Sequence, residues 1–587
     1  MKDPSYPRDI RAFGATVLAA IVIAVTLLPS PAAAIWSEDP AANLAVADGA
    51  GEDVVPKIAG LPNGGCYVGW FDNSAGSYDL RLQRLAPDGT EQWAHNGILV
   101  SSHAQETWLT DWDLICDAAG NCVLTFADIR TGNLDVQAYK IDPAGLFAWG
   151  PDGINISQNA AWEPTPAVCQ VSDGDYVFAW ARYPDTGEAA MMMQRVAPDG
   201  ALRYQVGGKS VVSVVNEDPA FPDLVPSLNG DVLLMWVRDI SSYMSPRHIR
   251  LQRFTSAGFP VWLNFTAIYD GAAVPLGYAP EIQTDGAGGA VCGWHSAPLD
   301  LFSSYVQRVG ANGVEMFPHN GVLVSTDATR HHIDPATAVN PATGEIFVFW
   351  NERNSFQTQW GIYGQRISAA GARLWGNSGV VLQPVNTTYK SYPRAASLGG
   401  GAVCIFTDTP AGFVGDRMVA YRLDASGANV WSTTPVLVAT SQSGKSRLPF
   451  FQDESGEIRI IWEDTRNGNP DVYAQNLNPD GTLGVDPASV SDSDLPLAAS
   501  HVFPNPFRGS TEIAFVSATS SAGAIIIAAP DGRVVREVEI ELQPAQRMVW
   551  RWDGRDAEGR GAPAGVYLYR LVSGGRVTSS GKLVLIR

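Results

Sequence analysis

The chain has 587 residues with 58 Gly, 39 Pro and 18 Trp, and only 17% of its residues are charged. Apolar stripes of helical period are scarce after residue 30, which excludes a helical protein and points to an all-β chain rich in turns. A formal net charge of −20 and a pI near 4.8 exclude a nucleic-acid binder, because affinity for a phosphate backbone comes mainly from Lys and Arg neutralising phosphates.

Residues 1–34 read as a secretion signal. Lys2, Arg8 and Arg11 precede an apolar run from Ala12 to Leu28, and the small residues of "PSPAAA" suit cleavage between Ala34 and Ile35. The alternative, an uncleaved anchor, is disfavoured because the run is at the short end for a spanning helix. No second apolar span follows, so the expected mature protein is secreted or held on the outer cell surface, with no transmembrane span left.

From Ile35 onward one unit repeats eight times. Each copy has an apolar strand ending in an aromatic, a polar hairpin, a strand like "LQRLAPDG", and a strand carrying a further aromatic. The first aromatic is Trp70, Phe126, Trp180, Trp236, Trp294, Trp350, Phe406 and Trp462, in steps of 54 to 58 residues. The Gly closing the next turn is Gly89, Gly145, Gly200, Gly258, Gly313, Gly371, Gly427 and Gly481, with the same range of steps. Two markers with one period establish a true repeat. Seven units carry a Pro before the first aromatic (Pro56, Pro166, Pro222, Pro280, Pro335, Pro393, Pro449), placed to start a strand where no ladder donor is lost.

Four short antiparallel strands per unit of this size make a propeller blade. The expected fold is therefore an eight-bladed β-propeller with four-stranded blades. The aromatic of the fourth strand is Trp93, Trp149, Tyr204, Trp262, Phe317, Trp375 and Trp431 in seven units, and the eighth unit has none. "IWSEDPAANLAVAD" at the start of the mature chain matches that strand, with Trp36 in the aromatic place. It is expected to supply the missing outer strand and close the ring, removing two exposed edges.

Within the units, Cys116 and Cys122 flank the tight-turn sequence "DAAGN" and are candidates to bridge across a hairpin after export. The other four cysteines sit inside apolar strands and read as small buried hydrophobes. Two positions after the first aromatic stand Asp72, Asp128, Glu352, Asp408 and Asp464, with Arg182, Arg238 and Ser296 in the other three units. These carboxylates form a candidate acidic rim for a cation or a polyhydroxylated ligand, or else cap their hairpins. No cofactor is expected; calcium is the cation such a rim would suit. Tyr78, Trp108, Tyr243 and Trp360 at hairpin tips are candidates for stacking on sugar rings. His95 and His319 share a slot in opposite blades, and His331 and His332 are neighbours that point opposite ways on an extended chain, so neither pair makes a metal site. No catalytic residue is assigned.

After the polar linker, residues 487–498, the chain changes character. Pro504, Asn505, Pro506 and Phe507, then Asp531 and Gly532, Trp552, Asp553 and Gly554, Gly559, Gly565, Val566 and Tyr567, and Lys582 before the last strand resemble the FlgD-like immunoglobulin-type domain. That domain overlaps in pattern with the type IX secretion C-terminal sorting domain. The resemblance implies a small β-sandwich over residues 499–587 that serves secretion, through the secretion machinery, or surface attachment. The preceding part, residues 35–486, resembles the repeat propellers of large secreted bacterial proteins. The favoured reading is a non-catalytic propeller that binds a glycan or a cell-envelope protein; the alternative is an extracellular glycan-cleaving enzyme working with rim or funnel carboxylates.

Overall fold

The computed structural model describes residues 35–485 and 498–586, apart from 106–111, 240–245, 276–277, 298–300, 412–413, 504, 506, 517–520, 531–532, 543–546 and 574–575. Ala34, Trp108, Tyr243, Pro504 and Pro506, and the 1–34 segment as a whole, lie outside the described residues. Among the described residues the fold is all-β, with one 3-10 turn at Leu228–Gly230. No helix among them is long and apolar enough to cross a membrane.

The first sheet sets the pattern. Asp53–Gly60, Cys66–Asp72, Asp79–Leu85 and Ile98–Ser101 pair in chain order, each antiparallel to the last. Six more four-stranded sheets of this order follow, up to Val436–Ser443. The second strand is buried on both faces, as in Cys66–Asp72 and Cys122–Asp128, because each sheet is covered on both sides by its neighbours. The eighth sheet is built from both ends of the repeat region. Ile458–Asp464 and Asp471–Leu477 pair as before, and Leu44–Ala47 adds to the outer side of Asp471–Leu477 with Leu44 opposite Ala474.

Eight apolar clusters hold these sheets, and each joins two consecutive ones. One of them joins the eighth sheet to the first, packing Trp36, Leu44, Ile461 and Val472 against Cys66, Val68 and Trp70. A second device repeats at the periphery. The aromatic expected in the fourth strand stands instead in the segment just before it, and lies over the turn Gly of the next unit, from Trp93 over Gly145 to Trp431 over Gly481, with Trp36 in the same way over Gly89. A Cβ on any of these eight glycines would stand 2.6 to 3.3 Å from the ring above it, and all eight have φ between +71° and +93°. Only Gly satisfies both conditions.

The indole N–H completes the contact by donating to a carbonyl of the same turn. Trp149 reaches Pro198 O at 3.2 Å, Trp262 reaches Ala311 O at 3.1 Å, Trp375 reaches Ala425 O at 3.0 Å, and Trp431 reaches Pro479 O at 3.0 Å. Trp36 reaches Pro87 O at 2.7 Å. In six of the eight sheets a third-strand glutamine ties down the segment that leads into the outer strand: Gln83 donates to Ala94 O and Gln194 to Gln205 O, while Gln475 donates to Ser37 O at 2.9 Å.

The prolines sit differently from expectation in four sheets. Pro166 and Pro449 immediately precede a strand and Pro280 falls two residues before one, but Pro56, Pro222, Pro335 and Pro393 lie within the first strand. There the register slips over a bulge, and the residue before the Pro has positive φ: Val55 at 53°, Phe221 at 51°, Asp334 at 54° and Tyr392 at 54°. The bulge takes up the missing N–H, at the cost of backbone strain in non-glycine residues.

The C-terminal part forms two sheets, one of Ala498–Phe503, Thr511–Val516 and Arg547–Trp552, the other of Val534–Leu542, Ser521–Ala528, Gly565–Ser573 and Arg576–Leu585. Its motif residues are structural. Phe507, Trp552 and Tyr567 stack in the core, with ring centroids 5.5 and 5.0 Å apart. Asn505 clamps the last strand by donating to Lys582 O at 2.7 Å and accepting from the Val584 N–H at 2.8 Å. Gly554 turns at φ +71° after the exposed Asp553, and Lys582 is itself exposed.

Two outcomes follow from the seam between the eighth and first sheets. Trp36→Ala should cost about 3–5 kcal/mol in urea unfolding of the full chain, as much as Trp149→Ala. The seam should also loosen as pH rises. Burial first, then the neighbouring Asp72, pushes the Asp53 carboxyl up to about 7, so the fold prefers it protonated and stability falls between pH 3.8 and about 7. Burial opposes the charge on His95, but its bonds to Asp48 and Glu91, at 2.8 and 3.0 Å, outweigh this and raise its pKa. Its small contribution is complete below pH 6.5 and is lost as pH rises through the raised value; half-exposed, it is worth less than about 1 kcal/mol. The Tm should therefore decline from pH 5 to 8, and Asp53→Asn should flatten that decline.

Candidate functional site

The five rim carboxylates are buried and paired rather than presented to solvent, which corrects the expectation of an open acidic rim. Asp72 meets Arg81 at 2.6 Å, Asp128 meets Arg130 at 2.6 Å, and Asp408 meets Arg417 at 2.6 Å. Asp464 accepts from Arg466 at 2.7 Å, the Trp462 indole at 2.8 Å and Ser443 Oγ at 2.5 Å. Glu352 accepts from the Trp350 indole at 2.7 Å, with His332 at 3.3 Å and Arg330 at 3.6 Å. In two of the other units the polarity is reversed, Arg182 finding Glu163 and Arg238 finding Glu217. In the third, Ser296 accepts from the Tyr269 hydroxyl. The slot is thus a buried polar pairing in every unit, and none of its members is free to hold a ligand.

Tyr78 is half-buried, with its hydroxyl donating to Glu52 at 2.8 Å. Trp360 is half-buried against Tyr389, ring centroids 5.2 Å apart. His331 and His332 lie in the strand Arg330–Val339, both buried. Among the described residues no group of three or more His, Cys, Asp or Glu is placed to hold a metal. Cys116 and Cys122 stand directly opposite in register but are free thiols, and burial pushes the pKa of both up. In this structure the pair is therefore not bridged.

The asymmetry that a site needs lies elsewhere, on the first strands of the fifth to eighth sheets. A cavity of about 710 Å³ opens there, lined among others by Tyr278, Glu281, Asp334, Tyr392 and Arg394. Asp334 and Tyr392 occupy the strained position before Pro in neighbouring sheets, so the same bulge delivers both into the cavity. The Asp334 side chain is 48% exposed at the cavity, and partial desolvation raises its carboxyl pKa against the pull of Arg353 and Arg394. The Arg394 guanidinium is held by two carbonyls, Leu448 O at 2.8 Å and Pro393 O at 3.0 Å. Burial lowers its pKa, with Glu281, Asp334 and Tyr392 as the opposing influences. Behind them His295 is buried, its Nδ1 accepting from the Asp334 N–H at 3.2 Å and its ring 4.3 Å from that of Tyr278. Burial, then Arg353, pushes the His295 pKa down to about 4, so the imidazole is neutral at neutral pH.

Aligning the repeats hides this group, because uniform columns attract attention. Two columns are not uniform. The residue before Pro runs Val55, Thr165, Phe221, Ala279, Asp334, Tyr392, Leu448. The residue after the first aromatic is apolar in four units (Phe71, Ala127, Ala181, Val237) and polar in the next four (His295, Asn351, Thr407, Glu463). That division into an apolar and a polar half coincides with the cavity, and it was readable in the sequence.

Residues 503–575 match the FlgD Ig-like domain family. No curated protein matches the chain. Among solved structures, a polysaccharide lyase, an ulvan lyase, overlaps 77% of this chain and 98% of its own at 8% identity and a TM-score of 0.44. An α-L-arabinanase from Penicillium chrysogenum overlaps 54% and 94% at 17% identity and a TM-score of 0.31. A protein of unknown function from Dyadobacter fermentans overlaps 56% and 97% at 11% identity and a TM-score of 0.32.

Replacing a rim carboxylate should damage the fold. Asp464→Asn strands Lys445 and Arg466 and should cost about 3–5 kcal/mol, read as a lower Tm.

Proposed function

We propose that the repeat region is an eight-bladed β-propeller, closed by its N-terminal strand, that cleaves a glycan outside the cell. The C-terminal FlgD Ig-like sandwich would serve export or surface attachment, and residues 1–34 the passage across the inner membrane. Support for closure comes from the cyclic set of eight aromatic-on-glycine contacts, in which Trp36 takes the eighth place.

The observation that carries the enzymatic reading is the one-sided cluster of Glu281, Asp334 and Arg394 around a cavity in an otherwise regular ring. Eight equal units would give eight equal surfaces, and a polar half with two carboxylates in one cavity is what glycoside hydrolysis requires. Asp334, with its raised pKa, is the proton donor to the departing glycosidic oxygen. Glu281 takes a proton from the water whose oxygen ends on the anomeric carbon as the C–O bond breaks. Arg394 fixes the sugar between them through its guanidinium fork. The rim carboxylates take no part, being committed to arginines.

A binding module without catalysis is the second reading, favoured by the regular, charge-paired rims. One experiment separates the two. The full chain is incubated with arabinan, xylan, polygalacturonate and laminarin, and bound polymer and released reducing ends are measured together. Cleavage of one of them, falling about 10³-fold in Asp334→Asn and in Glu281→Gln, is the expected result. Retention without release would replace the enzyme with a binding module.

A further inference from the structure

The cavity has a wall that neither carboxylate explains. Tyr392 lines it beside Arg394, in the same strained position on the seventh sheet that Asp334 holds on the sixth, and is 37% exposed. The bulge that turns Asp334 out of its ladder turns Tyr392 out of its own. Tyr389, three residues before Tyr392 in the chain and 44% exposed, acts on the Tyr392 phenol, whose pKa is raised first by burial and next by Tyr389. Beyond it stands Trp360, opening the strand Trp360–Ile367 of the sixth sheet, with its ring edge-on to Tyr389 at 5.2 Å and 72°.

These rings stand on a fixed base. Lys390, buried between Tyr389 and Tyr392, bonds Trp360 O at 3.2 Å, Thr388 O at 3.1 Å, Asn386 Oδ1 at 2.8 Å and Thr388 Oγ1 at 2.7 Å. One ammonium thus ties the loop that leads into the seventh sheet to the start of the Trp360 strand. An aromatic platform needs this rigidity, since a ring that must be ordered on binding returns less affinity.

We infer that Trp360, Tyr389 and Tyr392 form a track of sugar-stacking subsites that leads a glycan chain from the edge of the sixth and seventh sheets into the cavity. The inference rests on the glycan reading and adds the direction from which the chain enters. The exposed Tyr389 and Tyr392 rings offer an apolar face to the C–H face of a pyranose and a polar tip to its hydroxyls, while the half-buried Trp360 backs Tyr389 and extends the surface at its edge. Sugar units bound along the track lie away from the bond being broken, and their binding energy serves to hold that bond at Asp334. A long polymer should accordingly be a far better substrate than its disaccharide.

The test uses the full chain, the polymer that it cleaves among the four above, and the disaccharide of the same linkage. In Tyr389→Ala the preference for polymer over disaccharide, taken as the ratio of kcat/KM, should fall about tenfold, chiefly through KM for the polymer, and Tyr389→Trp should restore it. A Tyr389→Ala protein that keeps the wild-type preference overturns the track while leaving the cleavage reading intact. If the wild type retains a polymer without cleaving it, the track stands only if Tyr389→Ala weakens retention about tenfold, and undiminished retention overturns it. A wild-type chain that neither retains nor cleaves any of the four overturns both.

Discussion

Above each turn glycine from Gly89 to Gly481 there is room for the flat ring of the preceding unit and for no side chain of the glycine's own. The ring covers the turn, the indole N–H of Trp36, Trp149, Trp262, Trp375 and Trp431 takes up a turn carbonyl, and one sheet is locked to the next at its outer edge. Because the turn must already have positive φ, Gly meets both the conformational and the steric demand at once. The units can therefore vary widely in sequence provided this pair is kept, and Trp36, far from its unit in sequence, keeps it for the eighth.

This lock acts at the periphery, and the buried carboxylate–arginine pairs act at the ends of the second strands. Both leave the first strands comparatively free. There, in four of the sheets, a bulge before Pro turns one side chain out of the ladder, and that side chain is Val55, Phe221, Asp334 or Tyr392. Sheets whose outer parts are fixed by packing can thus vary their first strands without losing the fold, which is what the proposed asymmetric site requires of a regular scaffold.

Much of the fold was legible. The 54-to-58-residue period, the turn glycines and the displaced Trp36 gave the sheets, their order and the pairing of the N-terminal strand with the last unit, because these features repeat and repetition rises above chance. The bulges were not legible: Pro56 or Pro335 in isolation suits a strand start as well as a strand interior, and the difference lies in the partner strand. The charge pairing of the rim carboxylates was not legible for a related reason. Asp72, Asp128, Asp408 and Asp464 stood out as carboxylates in register, but their arginine partners come from other positions in each unit, and sequence spacing does not reveal which charges meet. Glu281, Asp334 and Arg394 belong to three different units and come together only through the packing of the sheets.

The most direct test of this account is a crystal structure of the full-length Asp334→Asn protein soaked with an oligosaccharide of the polymer that it retains or cleaves. The account predicts a sugar ring in the cavity between Glu281, residue 334 and Arg394, with further units running toward Tyr389. Sugar bound instead over the paired carboxylates at Asp408 and Asp464, with the cavity empty, would contradict it.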